Sequence, residues 1–207
     1  MSERELSLRE RKKRATRQRI SNVATGLFKE RGFDGVSVAE VARAAEVSTM
    51  TVFNYFPRKE DLFLDRIPEA VEVLSGAVRH RAPGETPLAA LRRLTLELRD
   101  QHHPLVGPND NFPAFWQVVI DSPALRARAR EGLEEIETAL SDALAETAPD
   151  TPDPALTAAL IVAAYRSVYV TTARRLLAGE RGDATAEDHQ DRMNAAFDIL
   201  ERALTWA

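Results

Sequence analysis

Apolar residues recur along this chain at spacings of three and four, and no stretch alternates between apolar and polar as a half-buried strand would. This periodicity predicts an all-α protein of about nine helices. Gly32 can end the first helix, because glycine readily adopts a left-handed backbone. The apolar face of that helix is predicted to comprise Ile20, Val23, Ala24, Leu27 and Phe28.

Two short helices follow at once and carry recognisable start signals. Ser37, with Glu40 three residues later, forms a capping-box pattern that predicts the start of the second helix. Ser48 can cap a third helix over residues 49–56, which Pro57 ends. Two short helices joined by so brief a turn predict a helix-turn-helix, whose second helix suits the major groove of DNA.

Prolines and glycines organise the remainder of the chain. We expect a fourth helix from Lys59, kinked near residues 64–68 because Pro68 removes one backbone hydrogen bond. A turn-rich stretch at residues 82–87 then leads into the fifth to ninth helices. These later helices predict a C-terminal antiparallel helical bundle.

Charge separates the two ends of the chain. The total of -4 divides into +4 over residues 1–66 and -8 over residues 67–207. Seven cations and one acid lie in residues 9–19, so the basic arm at residues 1–15 and the helix after it either attract an anionic partner or form a solvated tail.

The absence of cysteine excludes disulfides, a thiolate zinc site and a cysteine nucleophile. It also suits a cytoplasmic protein. The charged N-terminus lacks the apolar run of a secretory signal, so no export is expected.

The eighth helix is unusually apolar, with Arg166 as the one charge among residues 154–173. A membrane span would place that arginine in lipid at a cost of about 3 kcal/mol, so we expect no membrane association. A helix apolar on most sides is instead covered by its own domain and by a partner subunit. We predict a homodimer through the helices around 154–178 and 185–205, the latter capped by Thr185 with Asp188.

The stretch Thr16 to Phe63 resembles the DNA-binding domain of the tetracycline-repressor (TetR) family of bacterial transcriptional regulators. The resemblance rests on GFDGVSVAEVA from Gly32, VSTMTVFNYF from Val47 and KEDLF from Lys59. It implies a homodimer with a DNA-binding domain at residues 1–66, which contains the three reading helices, and a helical ligand-binding and dimerisation domain at residues 67–207. The expected partner is double-stranded DNA with a palindromic operator.

The resemblance also implies roles for individual residues. Base edges would be contacted by Thr49, Met50 and Asn54, where Asn54 can both donate to and accept from adenine. Phosphate or backbone contacts would come from Arg17, Ser37, Ser48, Thr51, Tyr55 and Lys59. For some of these a structural role competes: a helix cap for Thr51, a half-buried core ring for Tyr55, and a solvated side chain for Lys59.

Two positions depart from the family pattern. Glu46 stands where the family has glycine, so we expect either a positive φ at about 1 kcal/mol or an altered turn. Phe53 stands where tyrosine is common, so one phosphate contact should be absent and the ring should simply pack.

An aromatic cluster in the C-terminal domain is the candidate wall of a cavity for an apolar effector. Tyr165 and Tyr169 lie four apart on one helix face, and their hydroxyls need partners from the core or from a ligand. Packing of the same side chains in a closed core is the alternative. The candidate residues are Leu91, Leu94, Leu98, Phe112, Phe115, Trp116, Val119, Tyr165 and Tyr169.

Enzymatic signatures are missing from the sequence, and we expect no metal and no cofactor. His102 and His103 fit a solvated helix end, since neighbours on a helix point about 100° apart. Glu134 and Glu135 fit a solvated surface. The function that the resemblance implies is that of a ligand-responsive repressor, cytoplasmic and nucleoid-associated when bound. The alternatives are a regulator without an effector and, from another class, a helical enzyme or interaction scaffold.

Overall fold

The computed structural model describes residues 7–101, 103–107, 111–151, 153–180 and 182–204. Every regular element in these ranges is helical, which confirms the all-α prediction. The elements are α1 (Leu8–Arg31), α2 (Val38–Ala44), α3 (Thr49–Tyr55), a 3₁₀ turn (Glu60–Leu62), α4 (Ile67–Arg79), α5 (Pro87–Asp100), α6 (Phe112–Asp121), α7 (Pro123–Thr147), α8 (Pro154–Leu177) and α9 (Gly182–Ala203).

The chain divides into two compact units. Met1–Asp65 and Gln117–Arg128 form the first, and Arg66–Trp116 and Ala129–Ala207 form the second. The functional domain bounds of 1–66 and 67–207 remain a prediction.

The first unit is built around an aromatic core. The ring of Phe28 lies 5.0 Å from that of Phe33 and 5.9 Å from that of Phe63, measured between centroids. The 117–128 segment is joined to this unit by Arg128, whose Nε donates to Asp61 Oδ1 at 2.7 Å. Other fully buried side chains of the unit are Ile20, Val52, Phe56, Leu62 and Leu125.

Local capping signals set the starts of the first three helices. Ser7 and Glu10 form a capping box at α1, so the helix begins at Leu8 and includes most of the basic segment. The predicted box of Ser37 and Glu40 is confirmed at α2. Ser48 caps α3 by accepting from the Thr51 N–H at 3.0 Å, also as predicted.

The predicted kink at Pro68 is wrong. The chain from Lys59 forms only the 3₁₀ turn, and α4 starts afresh at Ile67 with Pro68 in its first turn. Proline is favoured there because the first N–H groups of a helix have no intrahelical partner to lose. Pro68 therefore begins a helix and does not bend one.

The second unit is a helical bundle in which α8 packs against α9 and α4 against α5. Two of its helices, α5 and α8, begin with a polar cap followed by proline, namely Thr86 before Pro87 and Asp153 before Pro154. The largest fully buried side chains of this core are Leu88, Leu91, Leu140, Leu144, Ile161, Met193 and Phe197.

Helix α9 begins at Gly182, so the predicted cap at Thr185 is wrong. Thr185 is buried inside the helix, where its side chain belongs to the core of the unit.

Helix α8 has the length and apolar composition of a membrane span. A core helix of a globular protein meets the same two criteria. One side of α8 is buried within its own unit, through residues that include Ile161, Val162 and Val168.

Candidate nucleic-acid interface and cavity

The turn between α2 and α3 aims the second of these helices outward. Glu46 adopts φ 53°, which confirms the expected left-handed conformation at this position. The chain closes the turn through the Val47 N–H, which donates to the Ala42 carbonyl oxygen at 2.9 Å. Val52 on α3 and Phe56, just beyond the end of the helix, are buried. The opposite side of α3 faces solvent.

The three predicted base-reading residues share this solvent-facing side. Thr49, Met50 and Asn54 are all exposed, Met50 to 70%. Phe53 joins them at 45% exposure, so the prediction that its ring packs is wrong. Spacings of three and four residues place these side chains on one face of α3, and the face combines amide, hydroxyl and apolar groups.

Three of the predicted backbone-contacting residues also serve as caps or partners of caps. The Ser37 hydroxyl donates to Glu40 Oε2 at 2.8 Å, and Arg31 donates to Glu40 Oε1 at 2.7 Å. These bonds, with that from the Ser37 N–H, hold the pKa of Glu40 at about 2. The hydroxyls of Ser48 and Thr51 lie 2.8 Å apart. Ser37 and Ser48 remain exposed, Thr51 is half-buried, and so is the Tyr55 ring.

Lys59 is held by the core of the first unit. Its Nζ donates to the Phe33 carbonyl oxygen at 2.6 Å and lies 4.2 Å from the centre of the Phe33 ring. Burial lowers the pKa of the Lys59 ammonium, and the carboxylates of Asp34, Glu60 and Glu40 oppose that shift. The side chain is half-buried, so the solvated interpretation does not describe it.

Arg17 is likewise engaged within the first unit. Its guanidinium donates to the Asp65 backbone carbonyl oxygen at 2.9 Å and lies 4.7 Å above the Phe56 ring. The more N-terminal cations of α1 are exposed, namely Arg9, Arg11, Lys12, Lys13 and Arg14. Together they give the helix a strongly positive solvent-facing surface.

A cavity of about 250 Å³ lies within the second unit. Five of the predicted residues line it: Leu94, Leu98, Trp116, Tyr165 and Tyr169. Four others lie elsewhere. Leu91 is fully buried in the core, Val119 belongs to the first unit, Phe112 packs on Trp116 and Tyr169, and Phe115 packs on Trp116.

Much of the cavity wall comes from helices that the sequence did not single out for it. Helix α4 contributes Ala70, Val73 and Leu74, and the segment after α5 contributes Leu105 and Val106. The apolar spacing of α4 and α7 was visible in the sequence, but it indicated only that these faces are inward. The remaining lining residues are Thr95, Ala129, Leu133, Ile136, Leu140, Ile161, Val162, Arg166 and Val170.

The two tyrosine hydroxyls at the cavity are bonded to protein. Tyr165 Oη lies 2.7 Å from Thr95 Oγ1. Tyr169 Oη donates to the Leu105 carbonyl oxygen at 2.6 Å and accepts from the Gly107 N–H at 3.2 Å. Burial raises the pKa of both phenols, that of Tyr169 to about 12, so both remain protonated.

Within the described ranges, no group of three or more His, Asp or Glu side chains could hold a metal ion. His103 Nε2 lies 3.3 Å from Glu69 Oε1, and its Nδ1 accepts from the Leu105 N–H, so it is engaged and not simply solvated. His102 lies outside the described residues. Glu134 and Glu135 are exposed, as expected.

Comparison with known proteins finds similarity to one family of regulators. Residues 20–65 match the model of the bacterial regulatory proteins of the tetR family. The chain is 29% identical over 202 residues to the HTH-type transcriptional regulator TcmR of Streptomyces glaucescens. This match covers 95% of the chain and 88% of TcmR.

Solved structures share the fold at lower identity. NalD, the secondary repressor of the MexAB-OprM multidrug efflux pump in Pseudomonas aeruginosa, is 20% identical with a TM-score of 0.56, over 89% of this chain and 96% of NalD. SmeT, the repressor of the Stenotrophomonas maltophilia pump SmeDEF, matches in its triclosan complex at 15% identity with a TM-score of 0.59, over 91% of each chain.

The family match coincides with the helix-turn-helix whose reading face is described above, and the full-length similarity is to a transcriptional regulator. The chain is therefore a DNA-binding transcriptional regulator and not an enzyme, and its residues 20–65 match the TetR family.

Proposed function

We propose that this regulator is a repressor that binds a palindromic operator as a homodimer and leaves it when a small molecule occupies the cavity of the second unit. The observation that carries the proposal is this apolar cavity, walled in part by α4, the first helix of the second unit. NalD and SmeT are repressors, and SmeT has been solved with triclosan bound.

The exposed face of α3 is the proposed reading surface. Asn54 would recognise adenine, and Thr49 and Met50 would touch thymine methyl groups. The N-terminal cations of α1 would follow the phosphate backbone, because DNA binding gains free energy by releasing condensed counterions. Phosphate contacts are also proposed for Arg17, Ser37, Ser48, Thr51, Tyr55 and Lys59.

Two copies of the chain would meet through α8 and α9. These helices expose large apolar side chains to solvent: Leu156 to 56%, Leu160 to 40% and Ile199 to 58%. Exposed apolar side chains of this kind are typical of a protein interface, and a two-fold axis lets the same surface serve both partners. The proposed interface covers residues 154–178 and 185–205.

The proposed switch acts through α4. This helix starts at Ile67, two residues after the first stretch of the first unit ends, and three of its side chains line the cavity. A ligand that shifts α4 would change the distance between the two reading helices, which must lie about 34 Å apart to fit successive major grooves. A coupling of about 1 to 3 kcal/mol is enough for regulation.

Such a regulator works in the cytoplasm and is associated with the nucleoid while bound to its operator. Genome-wide capture of fragments bound by the purified protein would identify the operator, and fluorescence anisotropy would then measure its affinity. We expect nanomolar binding that weakens steeply with salt and that Asn54→Ala weakens about tenfold or more. Absence of salt-dependent duplex binding would refute DNA recognition.

The effector is tested separately. Compounds that raise the melting temperature of the protein would be titrated into the operator complex, and at least one should release the DNA. If every compound that binds leaves operator affinity unchanged, the protein is a regulator without an effector and the cavity is only a packing defect.

A further inference from the structure

The cavity offers a ligand almost no hydrogen-bond donors. Thr95 Oγ1 donates to the Leu91 carbonyl oxygen at 2.9 Å, so the proton between Thr95 and Tyr165 comes from the Tyr165 hydroxyl. Tyr169 Oη gives its proton to the Leu105 carbonyl oxygen. All three hydroxyl protons in the wall are therefore used within the protein, and the remaining lining side chains offer two donor groups, the indole N–H of Trp116 and the guanidinium of Arg166.

Arg166 is the one charged side chain in this wall. It lines the cavity and is also exposed, so its side chain lies where the apolar interior meets solvent. Helix α8 contains no acidic residue, and in the part of the chain that the structure describes Arg166 has neither an ion pair nor a side-chain hydrogen bond. Arg175 on the same helix, by contrast, pairs with Glu180 and Asp188.

We propose that the effector is an anionic, largely aromatic molecule whose carboxylate or sulfonate group binds the Arg166 guanidinium at the mouth of the cavity. The inference rests on the proposed effector function and names the class of molecule that this site takes. A planar guanidinium matches a carboxylate through two parallel hydrogen bonds. The apolar body of the ligand would lie among side chains such as Leu94, Trp116 and Ile161.

The position of the charge suits both partners. At the mouth the anion stays partly hydrated, so it avoids the desolvation cost of a fully buried ion pair. The ligand body gains from leaving water, at about 25 cal/mol per Å² of apolar surface. A neutral ligand of the same shape would gain from the same apolar burial but would lack the charge-assisted hydrogen bonds to Arg166.

The test uses a fluorescent apolar probe and two matched competitors. N-phenyl-1-naphthylamine, which is neutral, is expected to bind the full-length protein and to fluoresce in the cavity. 2-Naphthoate and 2-naphthamide have the same ring system, and only the first carries a negative charge. We expect 2-naphthoate to displace the probe at a concentration about tenfold lower than 2-naphthamide does, as a charge-assisted bond allows.

Variants of α8 then assign the preference to one side chain. Arg166→Gln should bind the neutral probe as the wild type does. In this variant the two competitors should displace the probe at equal concentrations. Arg166→Lys should retain part of the preference, because the charge remains but the planar fork is lost. Arg174→Gln is the matched control, since Arg174 is an exposed arginine of the same helix that does not line the cavity, and it should retain the full preference.

Three outcomes would overturn the inference. Equal displacement by both competitors in the wild type would show that charge is not recognised. If Arg166→Gln still prefers 2-naphthoate over 2-naphthamide, another group recognises the charge. If sedimentation also shows that this variant forms a weaker dimer, Arg166 belongs to the subunit interface. Failure of the neutral probe to bind any version would instead remove the effector site itself, and with it this inference.

Discussion

Tyr169 and His189 meet edge to face, with ring centroids 4.9 Å apart and ring planes at 84°. His189 is only 3% exposed, and its Nδ1 lies 2.8 Å from Thr172 Oγ1. Its Nε2 is buried and has no hydrogen-bond partner among the described residues. This burial lowers the pKa of His189 to about 4, against the opposing effect of Asp188, so the imidazole is neutral in the folded protein.

A neutral buried histidine makes stability depend on pH. The unfolded chain takes up a proton near pH 6.5 and the folded protein only near pH 4, so the free energy of unfolding falls as the pH falls through that window. Between pH 7.5 and pH 5.0 we expect the wild type to lose about 2 kcal/mol from this group. Urea unfolding at the two pH values measures the loss.

His189→Gln is the control for this prediction. The substitution changes the free energy of unfolding by the same amount at both pH values, so this change cancels when each protein is compared with itself. Between the two pH values the variant should lose about 2 kcal/mol less than the wild type. Equal losses in the two proteins would show that His189 does not titrate as described.

Glu46→Gly should stabilise the protein. Glu46 adopts φ 53°, a conformation that costs a residue with a Cβ about 1 kcal/mol but costs glycine little. We expect a gain of about 0.5 to 1 kcal/mol in the free energy of unfolding. Glu46→Ala keeps the Cβ and should gain nothing, so a similar gain from alanine would point to the lost charge and not to the backbone.

Phe53→Tyr should strengthen operator binding. The ring is 45% exposed on the reading face of α3, so an added hydroxyl would meet solvent or a phosphate without disturbing the core. One new hydrogen bond predicts a gain of about two- to tenfold in affinity by anisotropy. Phe53→Leu lacks the hydroxyl and should show no gain, and unchanged affinity in the tyrosine variant would place this ring away from the DNA backbone.

Leu160→Glu and Ile199→Glu should split the dimer. Each change places two like charges in an apolar two-fold interface, one from each partner. Sedimentation at micromolar concentration should then find monomers, with weaker operator binding as a result. Ile120→Glu is the matched control, because Ile120 is exposed to 41% but lies outside α8 and α9. A dimer that survives both changes would place the interface elsewhere.

The sequence predicted the elements that local chemistry decides. Ser37 and Glu40 can cap a helix without help from the rest of the fold. The left-handed Glu46 was one of two alternatives, and it came from the resemblance to a family that has glycine at this position. Pro68 and Thr185 were misplaced because each residue fits two local structures. Proline occurs both in the first turn of a helix and at a kink, and threonine both at a cap and inside a helix, so distant packing makes the choice.

The cavity was only half predictable for a similar reason. Leu91 and Leu94 lie three residues apart on α5 and have the same hydrophobic character. Leu91 is fully buried in the packed core, whereas Leu94 lines the cavity. Periodicity identifies the inward face of a helix but not which part of that face the neighbouring helices leave empty. Phe53 shows the converse, since a ring expected to pack is exposed on the solvent-facing side of α3.

The hydrogen bonds of Tyr165 and Tyr169 have a consequence for how ligand selectivity can evolve. Because both hydroxyls are satisfied by the protein's own groups, exchanges among wall residues such as Leu94, Val162 and Ile136 alter only the shape and volume of the space. New chemical signals can then be accommodated one substitution at a time while the polar framework stays intact. That separation makes the chain a practical starting point for a tailored biosensor.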